Sequence, residues 1–112
     1  MDTMDELMQR LIDECRMQDA VAMATLDNGM HVFAYPLPDQ RTLLALGVGP
    51  DAALTAVELL ERRAADLRDA ADWLPSMFND GSLYLLRRLK AEEEEGGEAL
   101  AMQLELAMEL LN

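Results

Sequence analysis

Apolar and polar residues change their spacing several times along this chain, and each change marks an element. Met4, Leu7, Met8, Leu11, Ile12 and Cys15 recur three and four residues apart, with Asp5, Gln9, Arg10, Asp13 and Glu14 between them. That is the stripe of an amphipathic helix. Thr3 and Glu6 have the spacing of a capping box, in which hydroxyl and carboxylate each satisfy the other residue's amide, so the helix is predicted to start there and to reach about residue 18. From Ala20 the pattern becomes short apolar runs bounded by turn residues. Strands are predicted over 20–26 and 30–35, joined through Asp27-Asn28-Gly29, because Asn-Gly tolerates the positive φ of a tight hairpin. Pro36 to Gln40 reads as a connection, since each proline removes a ladder donor, and 42–48 as a third strand.

Gly47-Val48-Gly49-Pro50 is predicted to break that strand, with Pro50 opening a second helix. Leu54, Val57, Leu60, Ala64, Leu67 and Ala71 carry its apolar side to about residue 71. Trp73 to Phe78 and Ser82 to Leu89 then read as a second hairpin around Asn79-Asp80-Gly81, its first strand an edge or distorted strand because it holds Pro75. Glu92 to Glu95 with Gly96-Gly97 reads as a solvated loop, and the last helix as 98–111, apolar on more than one side. The predicted order is helix, three strands, helix, two strands, helix: an α+β fold with a mainly antiparallel twisted sheet and flanking helices, one domain over 1–112.

Composition limits the partners. Half of the 112 residues are hydrophobic (51%), too many for an acidic disordered tail. Acidic residues number 22 against nine basic ones, for a net charge of −13. Such a chain repels phosphate backbones and anionic lipid, so neither nucleic-acid binding nor membrane insertion is expected. No apolar run approaches a membrane span, and the first residues are acidic where a secretory signal would be basic, so a cytoplasmic protein is expected. The single cysteine, Cys15, leaves no intrachain disulfide or cysteine-cluster metal site.

Candidate chemistry is sparse. His31, the one histidine, has no serine or cysteine pattern beside it and reads as a strand residue on the solvent side. Cys15 falls on the apolar side of the first helix and reads as core. Gly47-Val48-Gly49 lacks the third glycine and the Lys-Ser/Thr of a phosphate loop. The glutamates at 92–95 lack the alternating oxygen ligands of a calcium loop. The chain is therefore expected to be no enzyme and to need no cofactor or metal. Nine methionines against five aromatic residues stand out. Methionine fills irregular cores and also lines surfaces that accept varied apolar partners, and some of these are expected at an interface.

The element order, the acidity, the stretch Asp80-Gly81-Ser82-Leu83-Tyr84-Leu85-Leu86-Arg87-Arg88-Leu89, the acidic glycine-containing link and the leucine-rich last helix together resemble the class I type III secretion chaperones, the CesT-like family. The resemblance spans essentially the whole chain and implies a homodimer in the bacterial cytosol. It further implies binding of the extended N-terminal segment of secreted effector proteins, kept soluble and export-competent. Carried over residue by residue, it implies a dimer interface at Leu54, Val57, Leu60, Trp73 and Leu74. It implies effector binding by Leu7, Leu11, Val21, Met23, Val32, Leu44 and Leu46, although alternation alone leaves open which side of each strand faces a partner. The alternative, drawn from charge, is an acidic inhibitor or nucleic-acid mimic that neutralises a basic partner.

Overall fold

The structure, a computed structural model, describes residues 4–26, 29–94 and 97–112, with the backbone alone at 4 and 5. The elements are α1 (Met4–Gln18), β1 (Ala22–Thr25), β2 (His31–Pro36), β3 (Thr42–Val48), α2 (Ala56–Ala65), α3 (Leu67–Ala70), β4 (Leu74–Met77), β5 (Leu83–Arg88), α4 (Ala91–Glu94) and α5 (Gly97–Leu111). All five strands form one antiparallel sheet in the order β1-β2-β3-β5-β4, flanked by helices, so the α+β fold is the one expected. Pro75 sits on an edge strand, where a missing donor is tolerated. Among the described residues no helix is long and apolar enough to cross a membrane.

The three hairpins close in one way. Leu26 N–H donates to Met30 O while Gly29 N–H donates to Leu26 O, and the same pair of bonds recurs at Leu37, Arg41 and Gln40 and at Phe78, Ser82 and Gly81. The last loop residue has positive φ each time: 89° at Gly29, 65° at Gln40, 91° at Gly81. This is the three-residue loop ending in a left-handed residue. The expected Asn28 turn and the Thr3 cap lie outside the described residues. Because left-handed backbone costs an L-residue roughly 1–2 kcal/mol, Gly81→Ala is expected to lower stability by about 1 kcal/mol, read as a shifted urea midpoint at unchanged slope.

Opposed residues of an antiparallel ladder share a face, so the register sorts the sheet into two sides. On the first, Val32, Ala34, Leu44, Leu46 and Leu85 are wholly buried with Met8, Ile12 and Cys15 of α1 and Leu100, Leu104 and Ala107 of α5. This is the core, and it takes the broad apolar side of α5. Burial pushes the Cys15 thiol above its ordinary range despite the nearby Arg16, so the group stays a neutral core filler.

Three expectations are corrected. The second helix starts at Ala56 rather than Pro50, because Thr55 is the N-cap. Its hydroxyl accepts from the Glu58 amide, and the Glu58 carboxylate accepts from the Thr55 amide. That helix ends at Ala65, and a separate turn, α3, covers part of the stretch to residue 71. The third strand spans Thr42–Val48 as expected, with Gly47 in its ladder opposite Tyr84. The glutamate run is no plain solvated loop: Ala91–Glu94 is a helical turn that buries Glu93 to 3% exposure.

Glu93 is buried because Arg87 meets it. Arg87 lies on the core face opposite Leu44, and its Nε and Nη2 donate to the two Glu93 oxygens at 3.0 and 2.8 Å. Its guanidinium stands 5.8 Å from the Trp73 ring, whose Nε1 donates to Gln103 of α5. Arg63 of α2 donates to the carbonyls of Trp73 and Ala71. One polar network, buried at Arg87 and Glu93 and partly open to solvent at Arg63 and Gln103, thus joins α2, α4, α5 and β5 to the start of β4.

Candidate functional site

The second face of the sheet is formed by Met23 and Thr25 of β1, His31, Phe33 and Tyr35 of β2, Leu43, Ala45 and Gly47 of β3, Tyr84, Leu86 and Arg88 of β5, and Leu74 and Ser76 of β4. Only Ala45, Gly47 and Tyr84 of these are buried. Met23 is 64% exposed and Leu74 57%, while Phe33, Tyr35, Leu43 and Leu86 are half-buried. Phe78, one alternation beyond Ser76, extends the same side and stacks on Tyr84 with ring centroids 4.4 Å apart. Phe33 lies 5.5 Å from Tyr84 and 6.3 Å from Tyr35. Both phenylalanines and both tyrosines of the chain therefore gather on the side away from the core, whose one aromatic is Trp73.

That distribution is informative. An aromatic ring is worth more to a core than a leucine in buried area, so a monomer maximising its own burial would place such rings inside. Here the core is mainly aliphatic with Trp73 as its one ring, while Phe33, Tyr35 and Phe78 are half-buried or exposed on the other face around the buried Tyr84. Among the described side chains four methionines are also exposed: Met17, Met23, Met77 and Met102.

The residues expected to bind an effector divide sharply. Val32, Leu44 and Leu46 are wholly buried under the helices and Leu11 nearly so, and Leu7 packs partly against the core. They are core side chains, not a groove, in this conformation. Val21 and Met23 are exposed, at 47% and 64%. The residues that do stand outward on the same strands are their sequence neighbours Phe33, Tyr35 and Leu43, which alternation could not single out. The aromatic type itself was the available signal, because along β2 the rings alternate with the smaller Val32 and Ala34.

Of the five residues expected at a dimer interface, Val57, Leu60 and Leu74 are exposed, at 63%, 51% and 57%. Leu67, also half-exposed, adds to this apolar rim of α2, α3 and β4. Trp73 is wholly buried and Leu54 packs partly against the core, so neither presents its side chain to a partner here.

His31 is half-buried on the second face with Nδ1 3.3 Å from the Thr25 hydroxyl. Among the described residues no group of three or more His, Cys, Asp or Glu could hold a metal ion. Among the charged groups near the face, Asp80 is held below the usual carboxylate range by the Ser82 side-chain and amide hydrogen bonds, and burial pushes the Tyr84 hydroxyl up. Neither arrangement pairs a nucleophile with a base. Comparison with known protein families, with curated proteins and with solved structures finds no match to this chain.

Proposed function

We propose that this protein is a secretion chaperone of the class I type III kind, which binds the extended N-terminal segment of one or more effector proteins in the bacterial cytosol and keeps it soluble and export-competent. The carrying observation is the placement of all four Phe and Tyr residues, with Met23, on the sheet face that lacks a helical cover. Rigid amphipathic rings and exposed methionine suit a surface that takes varied apolar side chains. The apolar rim at Val57, Leu60 and Leu67, with Leu74 at the β4 end of the sheet face, is assigned to a second copy, giving a homodimer. The net charge of −13 keeps an assembly with so much apolar surface soluble.

Co-expression with candidate effectors is expected to yield a complex through an effector N-terminal region, with a mass by light scattering of two copies of this chain plus the bound effector. Phe33→Asp is expected to weaken the complex about tenfold or more, since burying an unpaired charge in the contact costs upwards of about 1.4 kcal/mol. Recovery of no exported protein rejects the reading. The second reading, an acidic inhibitor or nucleic-acid mimic, is favoured by the charge alone. Its mark is a basic partner released by about 1 M salt, where screening acts within a few ångströms, whereas an apolar contact persists there.

A further inference from the structure

The chain has only nine basic residues against a net charge of −13. Three of them, Arg68 of α3, Arg87 of β5 and Lys90 just beyond it, line one cleft of about 340 Å³ whose other wall is Met102, Gln103 and Leu106 of α5. The Arg87 side chain is 2% exposed, and Glu93 accepts from its Nε and Nη2. Its Nη1 stands 3.7 Å from Asp72 Oδ2, an ion pair too long for a hydrogen bond. Lys90 Nζ lies 3.8 Å from the same oxygen. Arg68 is exposed and forms no ion pair with a described residue. Trp73 fixes what Gln103 offers. An indole N–H only donates, so the Gln103 oxygen must face Trp73 Nε1, at 3.2 Å, and the amide nitrogen of Gln103 is left to donate elsewhere. Donors therefore collect at the cleft, while the carboxylates at its rim, Asp69 and Asp72, are both exposed. A desolvated donor without an acceptor costs free energy, which an incoming acceptor relieves.

We propose that this cleft binds a small carboxylic acid with an apolar body, its carboxylate on Arg87 Nη1, Lys90 and Arg68 and its hydrocarbon part against Met102 and Leu106. A planar carboxylate matches the N–H groups of a guanidinium. Arg87 is held ready for it, because Glu93 fixes two of its nitrogens and the Trp73 ring stands 5.8 Å away, so little freedom is lost on binding. Volume and charge narrow the ligand. The cleft is at the small end of ligand sites, and a chain of −13 repels a phosphate dianion more strongly than a carboxylate. Asp72 is the internal competitor: one of its oxygens reaches both Arg87 and Lys90, and its 66% exposure leaves it free to withdraw into solvent. The site is independent of the chaperone reading. Arg87 lies on the core side of the sheet, opposite Leu44, away from the aromatic face.

The probe is isocaproate, titrated into the full chain and followed at the indole N–H signal of Trp73, the chain's one tryptophan. Saturable shifts are expected with a Kd of about 1–10 mM, the range open to an acid of this size. Isocaproamide, which lacks the charge, and acetate, which lacks the apolar body, should each bind about tenfold more weakly. Asp72→Asn should tighten binding about threefold by removing the competing carboxylate, and Arg68→Gln with Lys90→Gln should weaken it about tenfold. All three positions are exposed, so these variants keep the fold. A free acid and the C-terminal residue of a polypeptide share this chemistry. Tighter binding of N-acetyl-leucine than of isocaproate supports the site as one for chain termini, and the reverse supports it as one for free acids. Equal affinity of isocaproate and isocaproamide overturns the proposal. So does inorganic phosphate binding as tightly as isocaproate, or no gain in Asp72→Asn.

Discussion

Gly47→Ala is expected to cost about 3 kcal/mol or more, enough to remove a large part of the stability of a domain of this size. A Cβ at Gly47 would stand 2.3 Å from Tyr84 Cδ2, 2.5 Å from Tyr84 Cγ and 2.6 Å from the Leu83 carbonyl oxygen. The ring lies flat across the glycine of the facing strand and fills the space a side chain would occupy, while stacking on Phe78. It cannot swing away cheaply, because its base and not its tip is in the way. The Leu83 oxygen belongs to the paired strand and cannot move without the ladder. Adding Tyr84→Ala should therefore recover only part of the loss, a coupling that a double-mutant cycle by urea denaturation measures. A cost under about 1 kcal/mol for Gly47→Ala would show that the strands yield more easily than this packing allows.

Glu93→Gln is expected to destabilise by about 3 kcal/mol, because removing one partner of a buried ion pair leaves the other charge uncompensated. The Arg87 and Glu93 side chains are 2% and 4% exposed. The remaining Arg87 nitrogen, Nη1, stands 3.7 Å from the exposed Asp72, which is no equivalent of the buried Glu93 carboxylate. Replacing both partners by apolar residues, Arg87→Met with Glu93→Leu, should cost much less than either single change, since no charge is then left buried.

The same pair sets an acid limit. Burial by itself pushes the Glu93 carboxyl up, but the Arg87 hydrogen bonds, the Lys90 amide and the charges of Arg87 and Lys90 together outweigh it and hold the carboxyl below its ordinary 4.5. A carboxyl whose pKa is lowered on folding contributes stability above its unfolded pKa and loses that contribution as pH falls through the folded one. Wild type should therefore lose stability below pH 4.5, and Glu93→Gln should lose less over that range. Parallel pH curves for the two proteins would remove the pair from this role.

The hairpins were legible because their determinants are local. Gly29 and Gly81 announce positive φ. The loop closed by Gln40 carries no such mark, and Pro36 to Gln40 shows in the sequence only as a connection between strands. The start of α2 is set equally locally, by Thr55 and Glu58. Thr55 and Glu58 have the same spacing as Thr3 and Glu6, yet Pro50 was the stronger conventional signal, and Gly49 to Leu54 instead runs as turn and loop. The burial of Glu93 had no local sign, because a glutamate inside a run of four differs from its neighbours only through Arg87, six residues earlier in the chain.

The sequence by itself determined the α+β order, the antiparallel hairpins, the edge position of the proline strand and the acidic surface, since each depends on spacing, turn chemistry or composition. Only the tertiary structure decided which side of the sheet is core. Along β2, Val32 and Ala34 alternate with Phe33 and Tyr35, and either set could have been buried. A strand's period of two defines two faces without ranking them. The ranking came from α1 and α5 settling over the small aliphatic side, which left those rings outward.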